Sequence, residues 1–111
     1  MADVFQEGPP RSGRHAAAVA LVRAARRFPH LTPSTVTVEN LSHSEAQLAV
    51  AIHRTVLQRW LTLTYLLDRF TRPAMARLEP SLRAVLLVGA AQLLFLPRQP
   101  AYAVVSESVE L

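Results

Sequence analysis

The residues able to do chemistry in this chain are few. Four histidines, His15, His30, His43 and His53, are the only neutral nitrogen ligands for a metal. None lie four residues apart on a helix and no HExxH occurs, so no metal site is expected. His53 falls on the apolar face of a helical stretch, where a satisfied or half-exposed core position is the expected role. There is no cysteine, which removes a thiolate nucleophile, a thiolate zinc site and a disulfide framework. No serine sits in a GxSxG elbow. The three glycines, Gly8, Gly13 and Gly89, cannot form a phosphate-cradling loop. Glu107 and Glu110 are three apart, but nothing suggests the cleft and raised pKa that acid–base work needs, so they read as a solvated face. These 111 residues are therefore expected to be neither an enzyme nor the holder of a cofactor.

The basic residues carry more. All twelve are arginine, against eight acids, for a net charge of +4. Five arginines fall within residues 1–30 and six within 53–83, with two acids in each stretch. A guanidinium fork binds phosphate bidentately, so a surface facing RNA is one reading. The other is that the arginines solvate helix faces. Trp60 and Tyr65 have rings on which bases can stack, but on helices with apolar neighbours the core is the expected place for both.

The elements that must position these groups are helical. Half of the 111 residues are hydrophobic, which suits one globular domain. A first helix is predicted over 13–28, capped by Ser12 and stopped by Pro29, with Ala17, Ala20, Leu21, Ala24 and Phe28 on one face. A linker follows, from Pro29 to Leu41. Ser42 and Glu45 form a capping-box pattern, with Ser44 as a rival cap. The helical pattern then runs to Phe70, with Ala46, Ala49, Val50, His53, Val56 and Leu57 on one stripe and Leu63, Leu66, Leu67 and Phe70 on a second. Its length predicts a break near 60–62. Pro80 suits the first position of a helix reaching Phe95, which is apolar on almost every side and so belongs at the centre of a bundle. A last helix is predicted over 101–111. No apolar stretch reaches the roughly twenty residues of a membrane span, and no signal peptide is present, so a cytoplasmic protein is expected.

The run Leu78-Glu79-Pro80-Ser81-Leu82-Arg83-Ala84-Val85-Leu86-Leu87-Val88-Gly89-Ala90-Ala91-Gln92-Leu93-Leu94-Phe95 resembles the core helix of NusB-like domains. Pro100 to Leu111, with Glu107, Val109 and Glu110, is similar to the segment that follows it there. Val56-Leu57 and Leu63-Thr64-Tyr65-Leu66-Leu67-Asp68 resemble two upstream stretches. The resemblance spans about residues 44–111. It departs where the family has tyrosine at Ala91, glycine at Thr55 and arginine at Gln58. It implies an all-α, NusB-like bundle of about five helices over 13–111, with 1–12 a flexible N-terminal segment.

Such domains occur as the stand-alone transcription antitermination factor and as the N-terminal domain of bacterial rRNA 5-methylcytosine methyltransferases of the Sun/Fmu type. Val88-Gly89-Ala90-Ala91-Gln92-Leu93-Leu94 resembles the second more closely, as does Arg14-His15-Ala16-Ala17. The function implied is RNA binding, of ribosomal RNA, in support of a catalytic domain that would use S-adenosylmethionine. The alternatives are an antitermination factor and a protein-interaction or dimerisation module without RNA. Arg11, Arg14, Arg23, Arg26 and Arg27 are the expected phosphate contacts. The family's closing helices, with a Val-Asn-Gly-Val-Leu signature, do not appear. A catalytic domain or protein partner is therefore expected over the open face of the bundle.

Overall fold

The computed structural model describes residues 11–72 and 74–96, and among these it is all-α. Four helices follow in order: α1 (Gly13–Ala24), α2 (His43–Gln58), α3 (Trp60–Phe70) and α4 (Pro80–Phe95), with a short 3-10 helix, Met75–Arg77, before α4. The fifth expected helix, 101–111, and the N-terminal segment up to residue 10 lie outside the described residues.

Helix α1 starts where its cap predicts. The Ser12 hydroxyl accepts the His15 N–H at 3.1 Å. The helix then ends four residues before the expected Phe28. From Ala25 the chain tightens into turns, with Arg26 N–H bonding the Arg23 carbonyl and Phe28 N–H that of Ala25. The Thr32 N–H returns to the Ala24 carbonyl at 2.8 Å, which satisfies a carbonyl that the end of a helix leaves open. The Phe28–Pro29 peptide is cis.

Helix α1 has no acid in its own first turn; α2 supplies one. Ser42 caps α2 by accepting the Glu45 N–H at 3.2 Å. The other half of the expected capping box is used elsewhere: the Glu45 carboxylate accepts the Gly13 N–H at 2.6 Å. A negative charge thus meets an orphan donor at the positive end of α1. The approach leaves no room for a side chain. A Cβ on Gly13 would fall on the Glu45 carbonyl oxygen and lie 3.1 Å from the Ala49 nitrogen.

The expected break between α2 and α3 is present, at Arg59. The buried stripe of α2 is Ala49, Ile52, His53 and Val56. It keeps three of the expected positions, gains Ile52 and leaves Val50 36% exposed. On α3, Trp60 and Leu63 are buried, while Phe70 at the helix end is 81% exposed and drops out of the expected core stripe.

The most enclosed helix is α1 rather than α4. Nine of its residues are buried, among them Ala16, Ala17, Ala18, Ala20, Leu21 and Ala24. Alanine makes the helix thin, so α2 and α4 both pack directly against it. Helix α4 touches α1, α2 and α3, which gives it the central connectivity its composition predicts. Its last turn nevertheless leaves Leu93 and Leu94 about half exposed. Leu21, Ile52, Val56, Leu63, Met75, Leu87 and Val88 are the largest apolar side chains closed off from solvent. Each stabilises the fold by about 1.5–3 kcal/mol in transfer terms.

The Gly13 contact yields a direct test. Gly13→Ala forces α1 and α2 apart and costs about 1–3 kcal/mol, as overpacking does. Thermal denaturation should show a melting temperature lower by about 10 °C for a domain of this size. An unchanged transition would show that the two helices can separate freely.

Candidate nucleic-acid interface

The five arginines expected to contact phosphate divide into three groups. Arg11 is exposed before the start of α1. Arg23, Arg26 and Arg27 are exposed at the other end, on the last turn and the tight turns after it. Twelve residues separate Arg11 from Arg23, about 18 Å of helix, so the fold does not gather Arg11 with the other three. Arg14 is corrected. It is 6% exposed, and its Nε donates to Gln92 Oε1 at 2.5 Å. Gln92, itself fully buried, donates onward to the Val88 carbonyl at 3.1 Å. Arg14 therefore ties α1 to α4 from inside and is not placed to take a phosphate. Its spacing hid this, because it sits among alanines short enough for a long side chain to lie between the helices.

The turn that carries Arg26 and Arg27 is fixed by its neighbours. Phe28 is half-buried, and its ring centroid lies 5.9 Å from that of Trp60. The Trp60 indole N–H donates to the Pro29 carbonyl at 3.0 Å. Trp60 is thus a core residue whose one polar atom holds the turn. On the other side, the Arg83 guanidinium sits 5.5 Å over the Phe28 ring. It donates to the Ala76 carbonyl at 3.2 Å and to the Arg26 carbonyl at 3.5 Å. Burial lowers the Arg83 pKa below the usual arginine value, yet an arginine keeps its proton. Its charge is met by these carbonyls and the ring face.

This clamp brings in a residue that sequence reasoning missed. One guanidinium reaches the carbonyls of both Ala76 and Arg26, so the backbone next to the exposed Arg77 is tied to the turn that carries Arg26. Arg23, Arg26 and Arg27, close in sequence, thus make a basic end of the domain, with the segment that bears Arg77 joined to it through Arg83. Nothing in the spacing of residues 26 and 77 marks their segments as joined; the signal was Arg83, a lone cation opening an otherwise apolar helix.

Tyr65 also departs from expectation. It is 62% exposed, with the Arg69 guanidinium 5.6 Å over its ring. His53 matches its expected core place, 9% exposed, with Nε2 2.9 Å from the Ser34 hydroxyl. No group of three or more His, Cys, Asp or Glu able to hold a metal occurs among the described residues. No helix among them is long and apolar enough to cross a membrane.

An all-helical domain with a fixed basic end is the class these features define. The model of the NusB family matches residues 13–111, and the chain belongs to that family. No curated protein and no solved structure matches it. NusB-family domains generally bind RNA, which agrees with guanidinium groups presented on a rigid turn.

Burial lowers the His53 pKa below its ordinary 6.5, which sets the sign of a pH effect. Between pH 6.5 and the lower folded value the unfolded chain binds a proton that the native state does not. The stability from keeping His53 neutral is therefore present above pH 6.5 and is lost as pH falls through that window. His53→Gln retains a polar partner for Ser34 but cannot titrate. Urea denaturation should show the wild type losing more stability than this variant between pH 7.5 and 5.5. Parallel losses would remove His53 as the source.

Proposed function

We propose that this chain is an RNA-binding domain serving as the accessory N-terminal part of an rRNA (cytosine) methyltransferase. The observation that carries the RNA reading is the basic end: Arg23, Arg26 and Arg27 exposed on a turn locked by Phe28, Trp60 and Arg83, with the segment that bears Arg77 joined to it through Arg83. A rigid turn loses little side-chain and backbone freedom when it meets a phosphate backbone. Contacts of this kind position an RNA without reading its sequence. The methyltransferase setting is supported by the likeness of Val88-Gly89-Ala90-Ala91-Gln92-Leu93-Leu94 to that branch of the family. S-adenosylmethionine and the methyl-transfer chemistry would belong to a separate catalytic domain; the part of this chain is to dock ribosomal RNA.

Binding to a single-stranded ribosomal RNA fragment, followed by fluorescence anisotropy across a salt series, tests the RNA reading. Each phosphate contact on a single strand adds about 0.7 to the slope of log affinity against log salt. The variant with alanine at Arg23, Arg26 and Arg27 should bind more weakly and flatten that slope by about 2. Arg11→Ala should change the slope by less than one contact. Equal affinity and equal slope in the triple variant would overturn the assignment. The methyltransferase setting is tested by the mass of the native polypeptide in cell extract. A mass several times the 12.3 kDa of this chain supports it, and 12.3 kDa overturns it.

A further inference from the structure

We infer that the exposed face of α3 is a base-stacking platform for single-stranded RNA, with Tyr65 as the stacking ring and Arg69 as its cationic neighbour. This rests on the RNA-binding reading above and adds a second contact, of a different kind, to the basic end. Tyr65 lies in the middle of α3, whose opposite side buries Trp60 and Leu63. At i−4 stands Leu61, 81% exposed, and at i+4 stands Arg69, also exposed. These three share one face at helical spacing. An aromatic ring so exposed in mid-helix contributes little to the core, although aromatics bury large areas when they are used for packing.

The ring is already held. Arg69 lies over it at 5.6 Å, and its Nη1 donates to the Tyr65 hydroxyl at 3.3 Å. The ring nevertheless stays 62% exposed, which leaves surface on which a base can stack. Stacking on an aromatic ring is tolerant of sequence, because every base has a π face. The same guanidinium can take the neighbouring phosphate.

Charge favours a polyanion here over an apolar partner. Arg59 and Arg72 flank α3 at its two ends, both exposed. Asp68 is the one carboxylate on α3, and its Oδ1 accepts the Met75 N–H at 2.9 Å. That bond also links the platform to the basic end. Asp68 holds Met75, the next residue's carbonyl is held by Arg83, and Arg83 holds the Arg26 carbonyl. These bonds hold α3 and the turn bearing Arg26 in one packed unit, so one RNA strand can be offered both phosphate contacts and a ring.

The test compares a single-stranded oligouridine with a blunt duplex RNA of the same length, both followed by anisotropy. Tyr65→Ala should weaken single-strand binding about tenfold at every salt concentration. The salt slope should not change, because the ring carries no charge. Tyr65→Phe should keep most of the affinity, and duplex binding should be insensitive to both variants. Emission from Trp60, the chain's single tryptophan, reports folding in the same samples. Wild-type single-strand affinity in Tyr65→Ala, with weakened binding in the Arg23/Arg26/Arg27 variant, overturns this inference and leaves the RNA reading standing. An equal loss in Tyr65→Phe and Tyr65→Ala also overturns it, since the hydroxyl would then be the contact. Absence of RNA binding by the wild type removes both. Loss of self-association in Tyr65→Ala with RNA affinity unchanged would assign the face to a second copy of the chain and overturn the platform.

Discussion

A buried arginine that cannot give up its charge sets the geometry on which the rest of this domain depends. Arg83 is 5% exposed, at the start of a helix that is otherwise nearly all apolar. An ion in that position must be met by dipoles or it costs several kcal/mol. The available dipoles are carbonyls that helical structure leaves open: Arg26, past the end of α1, and Ala76, in the short 3-10 helix. Satisfying Arg83 therefore fixes two irregular segments to each other. Its Nε has no hydrogen-bond partner, and the Phe28 ring beneath the guanidinium is the contact that supports that side. Phe28 is in turn packed on Trp60. One unavoidable electrostatic requirement thus ties the turn bearing Arg26 and Arg27 to the short 3-10 helix that ends at Arg77.

A second constraint operates at the other end of α1. The alanine face lets α2 and α4 approach closely, and the closest approach is at Gly13. Close approach brings the Glu45 carboxylate to the N-terminus of α1 and encloses Arg14 near Gln92. Thin helices have few large side chains to fix their position by shape. Here polar contacts fix it instead, with Glu45 bonded to Gly13 on one side and Arg14 to Gln92 on the other. Both are long-range in sequence, and both join α1 to a different neighbour.

Local rules made the elements legible in the sequence. Ser12, Ser42 and Pro80 begin helices where capping chemistry says they should, and the excessive length of the pattern from 42 to 70 foretold a break, found at Arg59 beside the expected 60–62. What could not be read is which partner a residue meets across the fold. Glu45 has the spacing of a capping-box acid, yet the better partner is the free N–H of another helix. Phe28 continues the face of α1 but is drawn out of the helix to lie between Trp60 and Arg83. Trp60 and Tyr65 are both aromatic residues on α3, five positions apart; only the three-dimensional packing distinguishes the core ring from the surface ring. That Arg23, Arg26 and Arg27 lie together on the surface was legible because they are close in sequence. The burial of Arg14 was not legible, because it is decided by Gln92, 78 positions away.

The use of arginine alone for every basic position has a structural consequence. A lysine placed at Arg83 would have one ammonium and no planar fork with which to reach two carbonyls on separate segments while lying flat on a ring. Arginine can do both, and the same geometry suits phosphate at the surface. The residue type is thus divided by burial: nine of the eleven described arginines are exposed, while Arg14 and Arg83 are inside. The exposed carboxylates among the described residues are Glu39, Asp68 and Glu79. The buried pair cannot touch an RNA, but their charge still contributes to the field around the domain. Setting them aside as contacts leaves nine exposed arginines against three exposed carboxylates among the described residues. The cations that build the fold and the cations at the surface are therefore separate sets, joined at one place, where Arg83 holds the carbonyl of Arg26.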